Sequence, residues 1–573
     1  MVVAESAAGE PPTSSPTTAT PPAPAPRHGS RRDRLPHYGW LGTLVGWLFA
    51  ASSLTPSLLP RSPLLQGVVT GVVAAFGYGV GETLRWLIRR ISPWRPTPAA
   101  RHQAWRILLI VLAVGSVVML LLGRRWQVEL HELMEMSPPA GYDPVLLAVV
   151  AVLVFVGLVA LGRVLRRLTG WVIRHTVGRL PLWLARTVAV AAVILLVLGV
   201  VSGVILRGFI AVSNAAFSVK DTTTDSGTVQ PTTPLRSGSS QSLIAWDTLG
   251  RQGRNFVAGG PKPAQITGVT SRPGAAEPIR VYVGLQSAAT VSERVDLAVA
   301  DLRRAGAFER ATLIVATTTG TGWVDPASVD AAEYVMGGDT ATVAMQYSYL
   351  PSWISFLVDK SKAQEAGVAL FEGVYRAWSQ LPADHRPKLY VSGESLGSFG
   401  GQEAFGTLQD LRTRTSGAVL AGTPNFTELW KSLVDGRDAG SPEILPVYQQ
   451  GRGVRWAASP DDLAAPPTPW DSPRIAYLQH ASDPIVWWSG DLLLHQPDWL
   501  REAPGSDVLP AMRWLPWVTF WQVTADMVHS TGVPDGHGHV YQKEYVDAWV
   551  AVLQPANWTP AQTAQVRSAI GSD

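Results

Sequence analysis

The chain of 573 residues contains no cysteine, and this one absence removes disulfides, thiolate metal sites and cysteine nucleophiles together. It assigns no compartment. Lysine is scarce, arginine supplies nearly all the positive charge, and the net charge is only +3. No basic stripe of the kind that binds nucleic acid is visible, so no partner of that class is expected. The sequence also lacks a Gly-rich phosphate cradle and any His, Asp and Glu spacing suited to a metal ion. Neither a cofactor nor a metal is therefore expected. What the chain has in excess is apolar, with a mean hydropathy of +0.12 and 23 Trp.

Residues 1–36 are Pro, Ala, Thr and Ser with almost nothing to bury, which reads as a disordered tail. The tail lacks the apolar core of a signal peptide. Five stretches follow, at 38–58, 64–84, 105–123, 144–162 and 187–206. Each approaches the roughly 20 apolar residues needed to cross hydrocarbon, so 37–212 is expected to be a transmembrane domain of five helices with the lipid bilayer as its partner.

The arginines orient these spans. Arg31, Arg32 and Arg34 precede the first span, Arg85, Arg89, Arg90, Arg95, Arg101 and Arg106 lie between the second and third, and Arg163, Arg166, Arg167, Arg174, Arg179 and Arg186 lie between the fourth and fifth. The opposite loops carry only Arg61 in one and Arg124 with Arg125 in the other. Cytoplasmic flanks keep positive charge, so the N-terminus is expected inside, and an odd number of spans then places everything after residue 210 outside the cytoplasmic membrane. The run RVLRRLTGWVIRHTVGRLPLW (163–183) has the spacing of a surface-lying amphipathic helix. Gly67 with Gly71 and Gly77 with Gly81 are spaced to let another helix approach the second span. Glu82 is expected to pair locally with Arg85 rather than to mark a transport path.

Residues 213–245 are rich in Ser, Thr and Gly and read as a flexible linker. From 246 to 573 strands alternate with amphipathic helices, the pattern of an α/β domain with a mostly parallel sheet and helices on both faces. Strands are expected at 280–285, 312–317, within ATVAMQYSY, at KLYVS, at 417–422 and at RIAYLQH. Periodicity leaves 513–528 open between strand and helix.

The stretch KLYVSGESLGSFGG (388–401) carries the chemistry. Gly393, Glu394, Ser395, Leu396 and Gly397 spell G-x-S-x-G between a buried strand and a helix, the context of a nucleophile elbow. Each glycine has a steric reason, because a larger neighbour of the serine would strike adjacent backbone. A serine hydroxyl needs a base, and the base needs an acid to orient it. Downstream, Asp483 stands just past the strand RIAYLQH, and Gly536, His537, Gly538 and His539 precede a final amphipathic helix. The order Ser, Asp, His is the one this architecture uses. His537 is preferred as base because His539 is closer to the helix start, and His539 is the alternative. Asp535 is too near in sequence to orient its neighbour, so Asp483 is preferred as acid.

An oxyanion would need backbone donors. Leu396 N–H is one candidate, and Leu285 or Gln286, after the first strand, is expected to supply the other. The loop 317–326 is a possible pocket wall through Trp323. His480 is expected to be a structural residue at the end of its strand. Trp487, Trp488, Trp514, Trp517 and Trp521 suit either a core or an apolar acyl ligand.

The blocks SSLTPSLLPR, DTLGRQGRNFV, RVYVGLQSA, VATTTGTGWVDP, AMQYSYLPSW, YVSGESLGSFG, LAGTP, HASDPIVWW and GHGHVY resemble the actinobacterial α/β-hydrolase membrane proteins, in which a membrane domain precedes a serine-hydrolase-like domain. The resemblance implies an α/β-hydrolase fold anchored in a membrane, with no defined substrate. The expectation is a serine hydrolase cleaving an ester or thioester through an acyl-enzyme, or transferring that acyl group with the same residues. A hydrolase-like domain serving only as a membrane-tethered binding module is the competing reading.

Overall fold

The computed structural model describes residues 38–92, 97–139, 141, 143–176, 181–199, 207–358 and 360–571. The expected tail at 1–36 lies outside them, as does the end of the fifth expected span. Among the described residues the N-terminal region forms α1 (Trp40–Ser52), α2 (Pro63–Ile91), α3 (Pro98–Leu133), α4 (Pro144–Thr176) and α5 (Leu182–Leu198). The helices α2, α3 and α4 are long and apolar enough to cross a membrane, while α1 and α5 are apolar but shorter. The expected amphipathic connector, as far as Thr176, is a continuation of α4.

Helix α2 is the hub of the bundle. A Cβ on Gly77 would meet the Phe49 ring at 2.8 Å, and one on Gly81 would meet Leu41 O at 2.7 Å, so this glycine pair admits α1. A Cβ on Gly67 would meet Leu147 O at 2.8 Å, and one on Gly71 would meet Val154 Cβ at 2.6 Å, so that pair admits α4. Small residues allow the close backbone approach on which packing between apolar helices depends. Glu82 pairs with Arg85 one turn on.

The first expected span is shorter than its hydropathy suggests, because α1 stops at Ser52. The Ser53 hydroxyl bonds back to Ala50 O at 2.7 Å and Thr55 to Ser52 O at 2.7 Å, and Pro56 disfavours helix at the residue before it. The chain then runs irregularly to Pro60 with Leu58 and Leu59 fully buried.

The second half is an α/β domain with a seven-stranded sheet: β1 (Ile279–Val283), β2 (Thr312–Thr317), β3 (Thr340–Met345), β4 (Lys388–Glu394), β5 (Gly417–Ala421), β6 (Val454–Ala457) and β7 (Arg474–Leu478). Their order is β1-β3-β2-β4-β5-β7-β6, and every pair is parallel. Sheets of this kind are covered on both faces, so their strands are near-continuous apolar runs. The segment that periodicity left open contains a helix, Val518–Asp526.

Residues 213–245 do not form a free linker. The helix α6 (Arg207–Asp221) includes their first part, and the rest is a strap along the β1 edge. Arg236 bridges to Arg280 of β1, is fully buried, and donates to Val257 O at 2.9 Å. The Ser237 hydroxyl donates to Asp301 at 2.8 Å. The Ser, Thr and Gly content correctly signals irregular backbone, but hydroxyls and a buried guanidinium bind the segment to its neighbours.

The two halves meet at a charged contact. Asp526, fully buried at the end of its helix, is ion-paired with Arg61 Nε at 2.9 Å. Its other oxygen accepts the Ser57 hydroxyl and, at 3.1 Å, Leu58 N–H. Arg61 N–H reaches Gln127 of α3 at 2.9 Å, and its guanidinium reaches Gln66 of α2 at 2.9 Å. One turn before Asp526, Gln522 donates to Thr55 O at 3.0 Å and Ser53 O at 3.2 Å. At the helix start Trp517 stacks on Phe76 of α2 with centroids 3.8 Å apart.

Removing one member of a buried pair costs roughly 3–5 kcal/mol, whereas replacing both costs far less. Asp526→Asn keeps the acceptor for Ser57 but leaves Arg61 without its counter-charge. Thermal melting of the detergent-solubilised chain is expected to show a loss of about 3 kcal/mol for Asp526→Asn, with more than half restored when Arg61→Met is added. Equal stability of the single variant and the parent would show that the contact does not hold the halves together.

Candidate active site

Ser395 stands between β4 and the helix Leu396–Gln402 with φ 55° and ψ −124°, a conformation rare for a side-chain-bearing residue. The turn is enforced from outside. A Cβ on Gly393 would lie 2.5 Å from Gly397 O, and one on Gly397 would lie 2.2 Å from Thr317 O. Ser395 N–H bonds Ala421 O at the end of β5, 3.0 Å away. The strained residue is thereby fixed to the strand ends on both sides, and its side chain opens into a cavity of about 660 Å³. Leu396 is the first residue of the helix, where a backbone N–H has no intrahelical acceptor.

Asp483 follows β7 and is fully buried. One oxygen accepts Ile485 N–H at 2.8 Å. The other accepts the Tyr541 hydroxyl at 2.6 Å and faces His539 Nδ1 at 2.6 Å. A carboxylate on Nδ1 places that nitrogen's proton toward Asp483 and leaves Nε2 as the acceptor. His539 lines the same cavity as Ser395, with Nε2 3.6 Å from Glu394 Oε1.

His539, the alternative in the sequence reading, is therefore the histidine at Asp483, and the preferred His537 is not. Gly536 (φ 89°) and Gly538 (φ 53°) reverse the chain around His537, and Gly536 N–H and Val540 N–H close the turn on Val540 O and His537 O. Side chains two residues apart then face different surroundings. His539 also remains in the loop, since the helix that follows begins only at Gln542, and it is not the final one, because the helix Pro560–Ile570 comes after it. Asp535 caps that helix through Gln542 N–H at 2.8 Å. His480 is structural, as its position suggested: it stacks on Tyr541 with centroids 4.3 Å apart and bonds Gly538 O at 2.9 Å. Burial holds its pKa below the ordinary range.

Leu285 and Gln286 are not near Ser395. β1 is separated from β4 by β3 and β2, Leu285 N–H is bonded to Gln346 at 3.1 Å, and Leu285 lines another cavity with Arg294 and Tyr347. The strand beside β4 is β2, so the loop that reaches the elbow is the one after Thr317. Thr319, Trp323 and Asp325 from that loop line the Ser395 cavity. None of the five tryptophans weighed for an acyl ligand is among the described residues that line the Ser395 cavity. Trp487 is fully buried core, while Trp514, Trp517 and Trp521 are half-buried around the helix against α2.

An acid pair was not anticipated. Glu394, adjacent to Ser395 and buried, hydrogen-bonds Asp325 and accepts the Tyr545 hydroxyl at 2.7 Å. Asp325 also caps the helix Pro326–Val335 through Ala327 N–H at 2.8 Å. Burial first, and the charge of Asp325 second, push the Glu394 carboxyl well above its ordinary range, so this pair retains a proton. Asp330, on the same cavity, is raised to about 6, mainly by burial against the opposing pull of Arg280. The only sequence signal was an acid at the end of β4 and another in the loop after β2, and spacing does not pair them.

The family model described as "Alpha/beta-hydrolase family" matches residues 279–566, and the one described as "Alpha/beta-hydrolase family N-terminus" matches 54–261. No curated protein and no solved structure matches the chain significantly. The first match covers every strand together with Ser395, Asp483 and His539, and the second covers the segment that holds Asp526.

The proton on Glu394 has a thermodynamic consequence. Unfolded, the side chain ionises near its ordinary 4.5, whereas the folded chain keeps the proton, so the folded state binds more protons above that pH. Stability must then fall as pH rises from 4.5 toward the folded-state pKa. Glu394→Gln mimics the protonated acid and should remove this component. Melting between pH 5 and pH 8 is expected to show a smaller decline for the variant than for the parent, and identical slopes would show that Glu394 is ionised in the fold.

Proposed function

The chain belongs to the alpha/beta-hydrolase family, and from that premise we propose that it is a membrane-anchored serine hydrolase acting on ester or thioester bonds through an acyl-enzyme on Ser395. The observation that carries the reading is that Asp483 and His539 from two loops, and Ser395 from the elbow, converge at one edge of the sheet, with Ser395 and the imidazole on one cavity.

In the proposed reaction His539 Nε2 takes the Ser395 hydroxyl proton as Oγ attacks the acyl carbon. Asp483 holds the imidazole in the required tautomer and stabilises the cation that forms. The carbonyl oxygen becomes an oxyanion facing Leu396 N–H, with the loop after β2 as the second source of donors, although Thr319 N–H in that loop is already given to Trp323 O at 2.9 Å. Such donors are worth roughly a hundredfold or more each. The acyl–oxygen or acyl–sulfur bond then breaks, the imidazolium returns its proton to the departing alcohol or thiol, and the acyl group stays on Ser395. Water, deprotonated by His539, releases it as the acid, and an alcohol in place of water would yield a new ester. The neutral state of Glu394 matters here. Glu394 Oε1 stands 3.6 Å from Nε2, so its proton keeps a second anion from facing the imidazole.

The α/β domain is proposed to face away from the cytoplasm. It contacts the α1–α2 loop through Ser57, Leu58 and Arg61, and its core includes Leu130 and Met134 at the end of α3. Arg85, Arg89 and Arg90 lie at the far end of α2, roughly 33 Å or more away at about 1.5 Å per residue. The domain therefore sits at the arginine-poor end of the bundle, which the positive-inside bias assigns to the outside, without any count of spans.

Fluorophosphonate labelling of the full chain in detergent tests the chemistry. Ser395→Ala should abolish the adduct, His539→Ala should slow labelling by about a hundredfold or more, and His537→Ala should stay within about threefold of the parent. Undiminished labelling of Ser395→Ala would sink the enzyme reading and favour a binding module. Because native cysteine is absent, orientation is tested by one introduced thiol. The place for it is Val229, which is 72% exposed, rather than the buried Ser237. Val229→Cys should react with a membrane-impermeant maleimide in intact cells, and protection there would refute the outward orientation.

A further inference from the structure

We infer that the Trp-bearing start of the helix Val518–Asp526 is inserted in the bilayer beside α2, and that the Ser395 cavity takes an uncharged ester lipid from that same leaflet. The substrate half of this inference rests on the proposed serine hydrolase, and the insertion half does not.

The register along α2 gives the depth. Asp526 is held by Arg61, just before α2 begins. Gln522 bonds the carbonyl of Ser53, whose hydroxyl bonds Thr70 on α2 at 2.8 Å. Trp517 stacks on Phe76, which lies roughly 15–20 Å below Pro63 at about 1.5 Å per residue, with side chains leaning back toward the helix start. The helix thus runs antiparallel along the face of α2 that the short α1 leaves uncovered.

At that depth the surroundings are hydrocarbon. Gly67 and Gly71 of α2 pack on Leu147, Val150 and Val154 of α4. Around those contacts α4 turns outward Val145, Val149, Val152 and Leu153, each at least half exposed. Apolar side chains in such a row on a span face lipid, and Phe76 is lower still.

The inserted segment is built for that setting. From Trp514 to Ala525 the chain is uncharged, with Arg513 and Asp526 at its two limits. Several of its backbone donors are met by acceptors of the protein: Trp517 N–H by Leu493 O at 3.1 Å, Leu515 N–H by the Thr519 hydroxyl at 2.8 Å, and Thr519 N–H by Leu515 O at 3.0 Å. Pro516, the exposed residue of the turn, has no donor to satisfy. Irregular backbone survives in hydrocarbon only under that condition.

The same helix leads directly into the cavity wall. Met527, Val528, Ser530 and Thr531 line the cavity, and Ser530 O accepts His539 N–H at 2.8 Å. These residues follow Asp526, so the cavity lies at the height of the α2 start, where ester groups of lipids reside. Val528 and Trp353 give its rim exposed apolar surface, 54% and 42% exposed. The lining includes Asp325, Asp330 and Glu394 but neither Lys nor Arg. A phosphate headgroup meets three carboxyl groups and no cationic side chain among the described lining residues, whereas an uncharged hydroxyl-bearing headgroup finds acceptors.

Two measurements on the full chain in nanodiscs test this without turnover. A nitroxide on Trp521→Cys should collide with oxygen in preference to a water-soluble nickel chelate, while one on Asp384→Cys, whose side chain is 79% exposed, should show the reverse. Chelate access at 521 equal to that at 384 would overturn the insertion. In the Ser395→Ala chain, a diazirine-bearing diacylglycerol should cross-link to peptides containing Val528 or Trp353 about fivefold or more better than a phosphatidic acid with the same acyl chains. Equal or absent cross-linking would overturn the substrate inference. Failure of the fluorophosphonate adduct would instead sink the hydrolase reading and leave both of these results standing.

Discussion

The Asp526 carboxylate is the point on which the two halves of the chain depend. It is removed from water, and its oxygens are taken by a guanidinium, a hydroxyl and a backbone N–H from the ten-residue neighbourhood of Pro60. A buried pair of this kind contributes little net stability compared with an apolar contact, but it tolerates only one register. Here that register sets three things at once. It aligns a helix of the α/β domain with α2, it fixes the helical turn Met527–His529 that follows as a wall of the Ser395 cavity, and through Ser530 O it holds the backbone of His539. Leu59 completes the link by lying against Gly538. The membrane domain is therefore part of the architecture of the site, and the chain departs from the picture of a hydrolase tethered by an independent anchor.

The interior of the site applies the same logic to a proton. Asp325 and Glu394 are too close and too buried for both to ionise, so the pair keeps a proton and the cavity carries less negative charge than its composition suggests. Tyr545 donates to the Glu394 oxygen turned away from the imidazole, and Tyr541 donates to the same Asp483 oxygen that faces His539 Nδ1. Two tyrosines of one helix region thus orient the acids on either side of His539. Gly422, with φ 53°, supplies the floor, since a Cβ there would lie 2.2 Å from the imidazole Cε1. The geometry leaves His539 one orientation.

Much of the fold was legible because a parallel sheet buried on both faces writes each strand as an apolar run, and β1, β2, β4, β5 and β7 were read that way. β6 was not, since VRWA is four residues long and carries an arginine whose charge is absorbed by the carbonyls of Gly451 and Leu463. The elbow was legible from its glycines and its strand-to-helix context. The loop that faces the elbow was not, because strand order in a sheet is a three-dimensional fact: β2 and not β1 is the neighbour of β4. His537 and His539 were inseparable in sequence because the choice lies in two positive-φ glycines that decide which side chain turns back toward Asp483. Residues 222–245 have the composition of a linker, yet composition reports irregularity and not detachment.

The first span shows how a hydropathy window can be right about apolarity and wrong about architecture. Residues 38–58 are apolar throughout, yet the helix covers only the lower part of α2, and residues 53–60 leave it to meet the α/β domain. The segment that takes the vacated place comes from more than 450 positions later, as the sequence separation of Ser57 and Asp526 records. Taken alone, that later segment is too short to span a bilayer and too aromatic to be assigned to one surface. Each half of the chain leaves apolar surface that only the other covers. A fold of that kind cannot be divided into its membrane and α/β parts without exposing both.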